Sequence, residues 1–102
     1  MRLSVNQKLM EGSRHHPNHI RRFRMEKGLS QVELAHILGY KSVSSLSHLE
    51  GGYKLPSLQT AMKLEAGLQR FIGDIFPRLY GQLRGPVARR RVALFEKRRI
   101  KK

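Results

Sequence analysis

The chain has 102 residues, enough for one small domain with tails and too few for two independent cores. It contains no cysteine, which excludes disulfides, thiolate metal sites and cysteine nucleophiles, and no apolar run reaches the roughly 18 residues of a membrane span. Lys and Arg number 21 against 7 Asp and Glu, a net charge of +14, so the partner to expect is a polyanion. Nucleic acid comes first, because each neutralised phosphate releases counterions, and an anionic membrane surface second.

The charge is unevenly spread. Residues 1–18 carry 3 bases and 1 acid, residues 19–76 carry 8 and 5, and residues 77–102 carry 10 and 1. Residues 1–18 show no sustained periodicity and no apolar signal-peptide block, and they are expected to form a flexible arm on a soluble, cytoplasmic protein. Residues 19–27 place Ile20 and Phe23 on one helical face, with Gly28 as the stop. Ser30-Gln31-Val32-Glu33 reads as a capping box that opens a second helix, whose buried stripe is Leu34, Ala35 and Leu38 and whose stop is Gly39. A third helix is expected over residues 42–50, capped by Ser42, burying Leu46 and Leu49, and ended by Gly51 and Gly52. Ser57 caps a fourth, with Leu58, Ala61, Leu64 or Glu65, and Leu68 at three- and four-residue spacing. A fifth turn over residues 70–76 brings in Phe71, Ile75 and Phe76 before Pro77. Residues 77–102 then read as a basic C-terminal extension.

Two short helices joined by a tight glycine turn, within a basic bundle, form the arrangement that presents a second helix to the DNA major groove. The stretch Glu26-Lys27-Gly28-Leu29-Ser30-Gln31-Val32-Glu33-Leu34-Ala35, then Leu38-Gly39, Leu46-Ser47-His48-Leu49-Glu50, Gly52 and Pro56-Ser57-Leu58, resembles the xenobiotic-response-element family of helix-turn-helix regulators, which includes Cro and the lambda-type repressors. The resemblance covers residues 19–76. It implies an all-α, five-helix, lambda-repressor-like DNA-binding bundle, flanked here by the flexible arm and the basic tail, in which the second helix crosses the DNA backbone and the third reads bases. Two departures stand out. One extra residue between Gly39 and Glu50 lengthens the turn Tyr40-Lys41-Ser42, and Glu65 falls where the family usually has a small apolar residue.

Counting back from Glu50, the expected base contacts are Ser42, Val43, Ser44, Ser47 and His48. Serine hydroxyls can serve either kind of base edge, Val43 can pack on a thymine methyl, and His48 can donate to guanine N7 or O6. None is a bidentate Arg, Asn or Gln, so direct discrimination should be modest, with phosphate contact and DNA shape contributing. The family's glutamine at the position of Gln31 binds a phosphate and braces the recognition helix, and Lys41, Tyr53, Lys54, Arg21 and Arg22 are the further phosphate candidates. Arg24 and Glu50 match a family pair that forms a buried ion pair, a structural assignment.

His15, His16 and His19, and His36 with Glu33, offer no convincing metal-ligand set, and no nucleophile, paired carboxylates or phosphate loop is visible. No metal, cofactor or enzymatic activity is expected. The tail reads as a solvated segment or, among functional roles, as a phosphate-contacting arm ahead of an RNA binder, a membrane-surface helix or a dimer helix. The reading is a sequence-specific regulator of double-stranded DNA, a repressor bound as a homodimer to an inverted repeat, without a membrane partner, cytoplasmic and nucleoid-associated, encoded by a bacterium, phage or plasmid. The alternative is the antitoxin of a toxin–antitoxin pair that regulates its own synthesis through the same fold and covers a partner protein with its arms.

Overall fold

A computed structural model describes residues 16–100 of the chain. Among them there are six helices and no strand: α1 (Ile20–Glu26), α2 (Gln31–Ile37), α3 (Ser44–Glu50), α4 (Leu58–Leu68), α5 (Ile72–Ile75) and α6 (Pro77–Ile100). The five helical segments expected from the sequence are present, and α6 adds a sixth.

The apolar stripes converge on one core of Ile20, Phe23, Leu34, Ala35, Leu38, Leu46, Leu49, Leu64, Leu68, Ile75 and Phe76. Three residues expected in that core lie outside it: Leu58, the half-buried Ala61, and Phe71. Leu58 is 75% exposed, because the first turn of α4 faces a cleft between α4 and α6 lined by Leu55, Ala61, Leu79 and Leu83. Phe71 is 52% exposed and packs edge-to-face on Tyr80 with ring centres 5.4 Å apart, which helps to dock α6.

The first three helices end by one device. Gly28, Gly39 and Gly52 each follow a helix with positive φ, of 71°, 84° and 78°. The amide of each glycine and that of the next residue fold back onto carbonyls of the last turn, as in Gly39 N to His36 O at 3.0 Å and Tyr40 N to Ala35 O at 2.9 Å. A left-handed residue at this point reverses the chain within two residues, which lets seven-residue helices pack against one another.

The helix starts are less uniform. The capping box of α2 forms as expected, with Ser30 Oγ accepting from Glu33 N at 3.0 Å and Glu33 Oε1 accepting from Ser30 N at 2.8 Å. Ser57 Oγ caps α4. Ser42 does not cap α3: the helix starts at Ser44, after a bend over residues 41–43 that takes up the extra residue of this turn, and Ser42 Oγ instead meets Ser44 Oγ at 3.0 Å. Glu65, the other departure, is half-buried and accepts from Ile72 N at 2.8 Å, so it holds the first amide of α5.

Most of the expected arm lies outside the described residues, but its last three, His16 to Asn18, are fixed. Asn18 Nδ2 donates to Leu49 O at 2.7 Å, Asn18 Oδ1 accepts from Ile20 N at 3.0 Å, and His16 N donates to Gly52 O at 3.2 Å. One side chain thereby starts α1 and ties it to the end of α3. His19 N donates to Ile75 O at 2.8 Å, joining α1 to α5.

The basic extension is not an irregular tail. Pro77 opens a 24-residue helix, where its missing N–H costs nothing. Leu79 and Tyr80 dock its first turn, and no residue of it is buried.

Two outcomes test this framework. Nothing lies within 4 Å of a Cβ placed on Gly39, so Gly39→Ala should cost only the left-handed strain, about 1–2 kcal/mol by urea unfolding, and Gly39→Asn less. The Glu33 carboxyl is held below its ordinary pKa, first by the Ser30 amide and then by the Ser30 hydroxyl. Its contribution to stability is therefore present above the ordinary carboxylate value and fades as pH falls through the lowered one. Since Ser30→Ala removes only the hydroxyl, an NMR titration of that variant should find Glu33 moved part of the way back.

Candidate nucleic-acid interface

The centre of the site is a charge cluster buried where α1, α2 and α3 meet. Arg24 Nε donates to Glu50 Oε2 at 2.8 Å and Nη2 to Oε1 at 3.2 Å, while Nη1 donates to Leu29 O at 2.8 Å. The two side chains are 11% and 6% exposed. Gln31 Nε2 donates to Glu50 Oε1 at 3.1 Å. Because Glu50 as a carboxylate only accepts, this contact fixes which end of the Gln31 amide faces inward. Among the described residues no buried side-chain polar atom lacks a partner, so the charges sit in a saturated network.

Over this cluster lies a shallow polar depression lined by Arg21, Arg24, Gln31, Ser47, Glu50, Gly51 and Tyr53. It brings one expected base-contact residue, Ser47, together with three expected phosphate residues, Arg21, Gln31 and Tyr53. Gln31 is half-buried and Arg21 is exposed. His48, exposed on the last turn of α3, packs edge-to-face on Tyr53 with ring centres 6.4 Å apart. At the other end of α3, Lys41, Ser42 and Ser44 are all exposed, and the two serine hydroxyls are bonded to each other. Lys54 is exposed in the turn after α3.

Two further expected site residues have packing or ion-pair partners of their own. Val43 is half-buried against the core, so its methyls serve packing at the start of α3. Arg22 pairs with Glu26 at 3.4 Å and lies over the Phe23 ring, and Glu26 also takes Arg70 at 3.1 Å. It belongs to that surface cluster and not to the depression. Asn18 went unforeseen: it anchors the end of α3 from the segment read as a flexible arm. Its sequence signal was weak, an Asn two residues before the first periodic apolar position.

The sequence model of the helix-turn-helix family matches residues 20–70, which span α1 to the end of α4. The chain belongs to this Cro/C1-type, xenobiotic-response-element-like family. It is a DNA-binding transcriptional regulator of that type, and the family is one of regulators, not enzymes. No curated protein matches the chain. Among the described residues no helix is long and apolar enough to cross a membrane.

The buried cluster makes a sharp prediction. Arg24→Ala or Glu50→Ala alone leaves an uncompensated buried charge and should destabilise the helix-turn-helix domain by about 3–5 kcal/mol in urea unfolding. The double variant should lose much less than the two single losses added together, because neither charge remains.

Proposed function

We propose that the chain is a repressor that binds an inverted-repeat operator as a homodimer, with α3 in the major groove of each half-site and α2 crossing the backbone. The observation that carries this is the depression where Arg21, Gln31, Ser47 and Tyr53 converge over the Arg24–Glu50 pair. It sets a serine hydroxyl of α3 beside a guanidinium, an amide and a phenol over a hydrogen-bonded floor, which supports base and phosphate contact from one surface. In this reading Ser44, Ser47 and His48 face base edges, with Ser42 beside them, and Gln31, Arg21, Lys41, Tyr53 and Lys54 hold phosphates. Residues 19–76 make up the operator-binding unit, with residues 16–18 tied to it, residues 77–102 are an accessory element, and the protein works on DNA in the cytoplasm.

Hydroxyls and an imidazole discriminate less than a bidentate Arg or Gln would. Affinity then comes largely from phosphates, and part of the selectivity from the shape of the duplex. Two-fold symmetry of the dimer would appear as half-sites about one helical turn apart.

The test is selection from a randomised duplex library with the full chain, followed by affinity measurements on the recovered site. An enriched palindrome is the expected result. Ser44→Ala should weaken that site about fivefold and relax preference at one position per half-site, whereas Arg21→Ala should weaken all sequences alike and lower the salt slope by about one. Recovery of no preferred sequence would overturn the reading.

A further inference from the structure

The helix-turn-helix unit ends before α6, and α6 is a helix without an interior. None of its 24 residues is buried, and Leu83, Val87, Val92, Leu94, Phe95 and Ile100 are all 47% exposed or more. Its second half carries Arg89, Arg90, Arg91, Lys97, Arg98 and Arg99 against the single acid Glu96. Among the described residues the one ion pair on α6 is Arg99 with Glu96 at 2.9 Å. Arg91 and Arg98 lie over the Phe95 ring at 4.9 and 5.6 Å, which holds two guanidinium groups on one side of the helix. So much uncompensated charge on the exposed second half of the helix calls for an anionic partner.

The arrangement of the cations selects the kind of partner. Successive residues of a helix point about 100° apart, so Arg89, Arg90 and Arg91 fan over about 200°. Lys97 lies above Arg90 and Arg98 above Arg91 two turns on, roughly 10 Å along the axis, and Arg99 points to a further side. A helix that lies on an anionic membrane needs its cations on one face and an apolar strip on the other. Here cations ring the helix and interrupt every apolar strip. A surface that matches charge on all sides has to surround the helix, and the major groove of B-form DNA, about 12 Å wide between two walls of phosphates, admits one helix in that way.

We propose that residues 89–99 of α6 enter the major groove of duplex DNA as a cationic helix, touching phosphates on both walls without reading sequence. This would be a second nucleic-acid contact besides the helix-turn-helix surface. It rests on the reading of the chain as a binder of duplex DNA and is independent of which residues of α3 meet the bases.

The experiment compares the full chain with the variant Arg89→Gln/Arg90→Gln/Arg91→Gln. Gln keeps helix propensity close to that of Arg, and circular dichroism checks that helix content is held. Binding to a labelled duplex of arbitrary sequence is followed by anisotropy over a range of KCl concentrations. The slope of log affinity against log salt should fall by about two to three in the variant. On a duplex whose major groove is filled by glucosylated hydroxymethylcytosine, the difference between the two proteins should vanish.

An unchanged slope in the variant, with Arg21→Ala still lowering it, would overturn this proposal and leave the operator reading intact. A difference that survives on the glucosylated duplex would place the arginines outside the groove and also overturn it. So would an unchanged duplex slope accompanied by lost binding to phosphatidylserine vesicles, which would assign α6 to a membrane. Failure of the library selection, together with the expected drop in slope, would remove the operator reading and leave α6 as a DNA-binding helix.

Discussion

Two buried charges set the geometry on which the rest of the domain depends. Arg24 comes from α1 and Glu50 from the end of α3, and the two-pronged contact between them admits few relative orientations of those helices. Gln31 adds the start of α2 to the same carboxylate. Bringing the two charges out of water is costly, so the pair is weak evidence for net stability, but a lone survivor in that place would cost more. What the cluster specifies is position. It holds α3 at a fixed angle to α2, and with it the serines on the outer face of α3.

Backbone contacts finish what the charges begin. Asn18 reaches from the segment before α1 to Leu49 O on the last turn of α3, next to the Arg24–Glu50 pair. The glycines after α1, α2 and α3 keep the connecting turns short, so that three seven-residue helices, each marginal alone, bury their stripes in one core. Glu65 shows how a polar residue can be kept on a helix that packs: its carboxylate satisfies the first amide of α5, where a small apolar side chain would leave that amide to other partners.

Most of the charge lies away from this frame. The helix-turn-helix unit is only mildly basic, and its depression presents few full charges, with Arg24 and Glu50 neutralising each other in the floor. Ten of the bases belong to residues 77–102, nearly all of them on α6. The chain thus separates a compact surface with little charge from a projecting helix with a great deal. Such a division fits one element that discriminates and another that supplies affinity sensitive to salt.

The sequence by itself determined the local devices. The capping box at Ser30, the cap at Ser57, the stops at Gly28, Gly39 and Gly52, and the three- and four-residue spacing of the core leucines depend on chemistry within a few residues, and each was legible there. The family resemblance added the Arg24–Glu50 pair. Only the tertiary structure decided the features that join distant parts of the chain: Asn18 against Leu49, Glu65 against Ile72, Phe71 on Tyr80 instead of in the core, and the start of α3 at Ser44, where the core takes Val43. The helical state of residues 77–100 was hidden for another reason. With Gly81, Gly85 and Pro86 in its first half and charge on every side, α6 has no amphipathic period to reveal a helix, and its start is set by docking of Leu79 and Tyr80 on the bundle.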